Sequence, residues 1–138
     1  MIGVVVVTHG QLATELVNAA EMIVGDLPQF TAVSIGWHDD VEVAREAIER
    51  AVGKVDHGRG VLILTDMFGG TPSNLGLSFL RAGRIEVITG VNLPILIKLA
   101  KAPEGRELRD LAHEICVEGR EAIRVASDLL QSDRAASS

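Results

Sequence analysis

Residues 2–10 read IGVVVVTHG. A run this rich in β-branched residues, apolar at successive positions rather than alternating, is the pattern of a strand covered on both faces. It stops at Thr8-His9-Gly10, so the strand delivers one histidine to a tight turn at its carboxyl end. A helical pattern follows at once over Gln11–Val24, with Leu12, Leu16, Ala19, Ala20 and Ile23 on one face and Gly25 as its stop.

The same grammar repeats downstream. A second strand is expected at Phe30–Ile35, followed by the loop Gly36-Trp37-His38-Asp39-Asp40, in which Asp39 or Asp40 caps a helix carrying Val41, Ala44, Ile48, Ala51, Val52 and Val55. Its other face bears Glu42, Arg45, Glu46, Glu49 and Arg50, a solvated surface. A third strand, Gly60–Thr65, stops at Thr65-Asp66-Met67-Phe68-Gly69-Gly70-Thr71-Pro72, where Thr71 is expected as N-cap and Pro72 as the first helical residue. A fourth strand, Ile85–Thr89, leads through Gly90-Val91-Asn92-Leu93-Pro94 into a helix ending near Lys101. Leu108, Leu111, Ala112 and Ile115 mark another helix. For Glu121–Ser127, periodicity does not decide between continued helix and a short strand. Strands alternating with amphipathic helices imply an α/β fold. We expect an open, mostly parallel, doubly wound sheet of order 2-1-3-4, with helices on both faces. Residues 1–130 read as one domain and 131–138 as a polar tail.

Composition narrows the function. The net charge of −6 and an aromatic content of 3% argue against a nucleic-acid binder. Cys116 is the single cysteine, so neither an internal disulfide nor a cysteine-based zinc site can form within the chain. The apolar start lacks a basic flank and a small-residue cleavage site, and no stretch reaches the about 20 apolar residues of a membrane span. A cytoplasmic protein without membrane insertion is expected.

If the first strand lies between the second and third, the crevice where strand order reverses separates the loops of His9 and Asp66. A neutral imidazole is a good nucleophile, and a carboxylate on its second nitrogen would fix tautomer and orientation. Backbone N–H groups at Gly69, Gly70 and Thr71 precede a helix N-terminus, a favourable place for an anion. Gly10 offers a second such place, and the Thr8 and Thr71 hydroxyls could add hydrogen bonds. These are the parts of a phosphoryl carrier, with His9 as phosphorylated nucleophile and Asp66 orienting it. His38 also falls on the expected rim, where it could touch substrate or partner, but Trp37-His38 reads more simply as a loop with a partly buried aromatic. His57 and His113 fall in a charged loop and a helix, where no chemistry is expected. A nucleotide-binding reading finds neither G-x-x-x-x-G-K-[ST] nor G-x-G-x-x-G. A metal hydrolase would need further ligands at zinc spacing, so no metal or cofactor is expected.

Three stretches in order, Ile2–Gly10 (IGVVVVTHG), Leu64–Asn74 (LTDMFGGTPSN) and Gly90–Pro94 (GVNLP), carry a resemblance. Over roughly Met1 to Val125 the chain resembles the IIA component of the mannose class (mannose, fructose, sorbose) of the bacterial phosphoenolpyruvate-dependent sugar phosphotransferase system. The resemblance implies that His9 accepts a phosphoryl group from the histidine-containing phosphocarrier protein and passes it to a IIB component. It implies Nε2 as the phosphorylated atom, Asp66 as its support and Thr71 near the phosphoryl group. It further implies a homodimer in which an antiparallel edge strand is exchanged, favouring a strand at Glu121–Ser127. The Gly36–Asp40 loop departs from that of the well-known mannose transporters, and no IIB-like segment is present. The alternative is a stand-alone regulatory module whose phosphorylation state controls partner binding.

Overall fold

The computed structural model describes residues 1–137, with side-chain surroundings given through Gln131. The strands are β1 (Gly3–His9), β2 (Phe30–Ile35), β3 (Val61–Thr65) and β4 (Ile85–Thr89). The helices are α1 (Leu12–Val24), α2 (Val41–Val55), α3 (Thr71–Ser78), α4 (Leu93–Ala100), α5 (Leu108–Glu121) and α6 (Ala126–Ser137). All three strand pairings are parallel, in the order β2-β1-β3-β4. The sheet is therefore doubly wound, as the alternating pattern implies.

The valine run explains the two-sided core. Successive side chains of a strand point to opposite faces. Val4 and Val6 pack with residues of α1, α4 and α5, while Val5 and Val7 pack with residues of α2 and α3. Every one of the four valines is buried. A polar residue at any of them would be stranded in one core or the other, without a partner for its hydrogen bonds.

Local chemistry sets the helix starts. The Asp40 side chain accepts from the Glu42 N–H and caps α2. The Asn92 side chain accepts from the Ile95 N–H to cap α4, and its amide donates to the Gly119 carbonyl near the end of α5. At α3 the expectation is corrected. Gly70, not Thr71, is the N-cap, and no side chain caps this helix. The chain turns through Gly69 and Gly70, both at positive φ, so Thr71 is already helical.

One further expectation changes. Among the described residues there is no fifth strand: α5 ends at Glu121, residues 123–125 are irregular, and α6 starts at Ala126. The antiparallel edge strand suggested for 121–127 does not form within one chain, and β4 is left at the edge of the sheet. The polar segment from residue 131 is helical as far as Ser137, and Ser138 lies outside the described residues. No described helix is long and apolar enough to cross a membrane.

Candidate phosphoryl-transfer site

Parallel register brings the carboxyl ends of the strands to one rim. His9 of β1 lies beside Ile35 of β2, while Val7 pairs with Thr65 of β3, the residue before Asp66. The two loops that diverge there are those of the strand-order reversal. They meet: His9 Nδ1 is 2.8 Å from Asp66 Oδ2. The His9 backbone N–H donates to the same oxygen at 3.1 Å, and the Met67 N–H donates to Oδ1 at 3.1 Å.

A carboxylate only accepts, so Nδ1 carries the proton and, in the neutral ring, Nε2 keeps its lone pair. The His9 side chain is 49% exposed while that of Asp66 is 14% exposed, so the ring is reachable and its anchor is sheltered. Burial alone would raise the Asp66 carboxyl. The hydrogen bonds from the His9 ring and backbone, with the attraction of the ring, outweigh it and hold the carboxyl below its ordinary value of 3.8.

On the other side of the ring lies Gly70. A Cβ built there would stand 3.1 Å from His9 Nε2 and 3.2 Å from Cε1. Gly70 also has φ 88° and ψ 171°, a conformation essentially reserved for glycine. This close approach aims Nε2 at the uncapped start of α3, where backbone N–H groups and the helix dipole favour an anion. His9, Gly10, Gly70 and Thr71 share an open depression of about 470 Å³, which Trp37, Asp39 and Val41 also line.

Gly70→Ala is expected to lower phosphoryl transfer at least tenfold, because the new methyl must either push the ring from Asp66 or cover Nε2. Strain at this φ and ψ is expected to cost about 1–3 kcal/mol as well. Transfer rates measured beside a thermal melt separate the two effects. A wild-type rate would show that Gly70 does not set the ring's position.

Of the sequence-predicted site residues, His9, Asp66, Gly10, Gly70 and Thr71 come together. Gly69 sits in the same turn but not on the wall of the depression. Thr8 has a different place. It is fully buried, its hydroxyl accepts from the Ala13 N–H at 2.7 Å, and it donates to the His9 carbonyl at 3.2 Å. That oxygen ties the first turn of α1 to the histidine's own peptide and is unavailable to a phosphoryl group. Trp37 corrects the reading of its loop: it is 93% exposed. His38 is exposed on the same loop but does not line the depression. Trp37, Asp39 and Val41 line the depression with His9 without being candidates in the sequence, where a lone tryptophan on a rim loop is the one signal for them. Among the described residues, no three His, Cys, Asp or Glu side chains are grouped to hold a metal ion.

The chain is similar to known proteins over most of its length. A sequence family described as "PTS system fructose IIA component" matches residues 3–116. The chain is 30% identical to the fructose-specific EIIA component of Bacillus subtilis, over 99% of this chain and 94% of that protein. It is 36% identical to the mannose-specific EIIAB component of Escherichia coli over 89% of this chain, and it spans 40% of that longer protein. The crystal structure of an EIIA component from Streptococcus agalactiae shares the fold, with TM-score 0.82 at 24% identity, covering 93% of this chain and 99% of that one. The chain belongs to the mannose-class IIA family of the phosphoenolpyruvate-dependent sugar phosphotransferase system, whose members are phosphotransferases acting in sugar uptake.

Proposed function

We propose that this chain is a phosphohistidine carrier in which His9 Nε2 accepts a phosphoryl group from the histidine-containing phosphocarrier protein and passes it to a IIB component. The observation that supports this most strongly is the 2.8 Å pairing of Nδ1 with Asp66, which leaves Nε2 as the reactive nitrogen beside Gly70. In the forward step the Nε2 lone pair forms the N–P bond as the donor's N–P bond breaks. Positive charge developing on the ring is met by Asp66. The phosphoryl oxygens are received by the N–H groups at Gly70 and Thr71, with the Thr71 hydroxyl and the turns at Gly10 and Gly69 completing the cradle. No lysine or arginine occurs in residues 1–44 or 60–80, which carry these groups. Neutral donors hold the phosphoryl group without a fixed ion pair, which suits a group that must leave again. Thr8 acts indirectly, by fixing the His9 peptide.

The test is labelling from radioactive phosphoenolpyruvate with the two general phosphotransfer proteins, followed by mapping of the acid-labile phosphate and addition of candidate IIB acceptors. Label on His9 that chases onto a IIB protein is the expected result. Label on His9 with no flow to any acceptor would instead favour the regulatory module, in which added negative charge on the rim switches partner binding. Both readings place the protein in the cytoplasm.

The carrier also works as a homodimer in this proposal. Ile123, Val125, Leu129 and Leu130 are exposed, and beyond the Arg81–Ile85 bridge β4 presents an unpaired edge. Exposed apolar side chains and an open strand edge are both features that association removes. Sedimentation equilibrium is expected to give twice 14.7 kDa. A monomer at working concentrations would reject the dimer.

A further inference from the structure

The loop between β2 and α2 is held in one shape yet presents its largest side chain to solvent. The Asp39 carboxylate accepts from the Gly36 N–H at 2.6 Å, and the Asp39 N–H returns to the Gly36 carbonyl. Asp40 is committed to capping α2. Between these fixed points Trp37 stands 93% exposed, on the wall of the depression that contains His9. No packing within the chain accounts for an indole in that position. Val41 beside it is half exposed, and Met67 and Phe68, in the turn following Asp66, are 56% and 74% exposed. Apolar surface thus occupies both loops that converge on the reactive ring.

The charge around it has one sign. Asp39, Asp40 and Glu42 follow Trp37, and Asp66 lies under His9. The nearest cation in this sequence, Arg45, is turned to Ser78 and Glu42. Tryptophans on such surfaces are enriched among the few residues that dominate binding energy, and opposite charge at the periphery speeds encounter.

We propose that Trp37 is the anchor by which the phosphoryl donor is recognised. Its partner surface would be an apolar face, ringed by lysine or arginine, around the donor's own phosphohistidine. The inference rests on the carrier reading above. It commits to the donor because the donor meets the unphosphorylated surface described here, and because both the carrier and the regulatory readings require that encounter.

The experiment measures phosphoryl transfer from the donor to wild type, Trp37→Ala and Trp37→Phe over a range of donor concentrations. Trp37 makes no buried contact, so both variants should fold. Trp37→Ala is expected to raise KM for the donor roughly 10- to 100-fold with kcat changed far less, and Trp37→Phe to recover part of the loss. Rising salt should raise the wild-type KM. An unchanged KM in Trp37→Ala overturns the proposal while leaving the carrier reading intact. In parallel, a donor made without tryptophan is titrated into the unphosphorylated chain, whose single tryptophan reports contact. A saturable blue shift supports docking. A blue shift on raising the concentration of this chain alone would place Trp37 between two copies and overturn it. If wild type takes no label, the carrier reading fails, and the titration alone decides whether the donor docks at Trp37.

Discussion

His9→Ala is expected to accept no phosphoryl group from the phosphoenolpyruvate-driven donors, a loss below any detection limit. The reason is chemical. Of the four histidines, His9 alone stands at the carboxyl rim with one ring nitrogen tied to a carboxylate and the other beside an uncapped helix start. His38 lacks the depression, His57 lies in the loop before β3 at the opposite end of the sheet, and His113 lies within α5. Covalent transfer needs a nucleophile, and no nearby side chain can substitute. The variant should remain folded, because the ring is half exposed and the β1 backbone is held by its two neighbouring strands. Labelling of intact protein, followed by acid and base stability of the bound phosphate, is the measurement. Label retained at another residue would end the assignment of His9.

Much of this arrangement was legible because it depends on short-range rules. The valine run could be read as a two-sided strand since each residue's face is fixed by strand periodicity. The bounds Phe30–Ile35 and Ile85–Thr89 follow from apolar blocks ended by glycine-containing turns. The pairing of His9 with Asp66 required one topological assumption, that β1 lies between β2 and β3, and the observed order satisfies it.

What could not be read depends on competition between partners distant in sequence. Beside His9 in sequence, the Thr8 hydroxyl could add a hydrogen bond to the phosphoryl group, but it is taken by the Ala13 N–H. An uncapped first turn of α1 needed an acceptor, and the end of β1 supplied it. Residue preference points to Thr71 as a cap, yet two consecutive glycines at positive φ move the helix boundary one residue earlier. Indoles are usually largely buried, so residue type alone points to a partly buried Trp37. Nothing in its neighbours' identities states that the loop closes on Asp39 instead of on the ring. Residues 121–127 stay ambiguous because their pattern suits either a helix end or a strand.

Asp66→Asn is expected to slow transfer by roughly 10²- to 10⁴-fold while leaving the fold intact, a range set by the analogous removal of charge behind a catalytic histidine. Two causes act together. The anion that offsets positive charge on the ring during N–P bond formation is lost. The amide can also turn its NH₂ toward Nδ1, which would stabilise the tautomer with the proton on Nε2 and block the attacking lone pair. The pH behaviour gives an independent check. The native carboxyl sits below its ordinary value of 3.8, so the unfolded chain binds a proton there more readily than the folded one. Asp66 therefore adds stability that is complete above the ordinary carboxylate range and is lost as pH falls through its native value. Melting profiles of wild type and Asp66→Asn should differ by a constant amount near neutrality and converge in acid. Rapid-quench transfer rates and these melts together separate catalysis from stability. A wild-type rate in Asp66→Asn would remove the Asp66 charge from the chemistry and leave this side chain a purely structural anchor, since the residue's size is kept while the charge and one acceptor oxygen are gone.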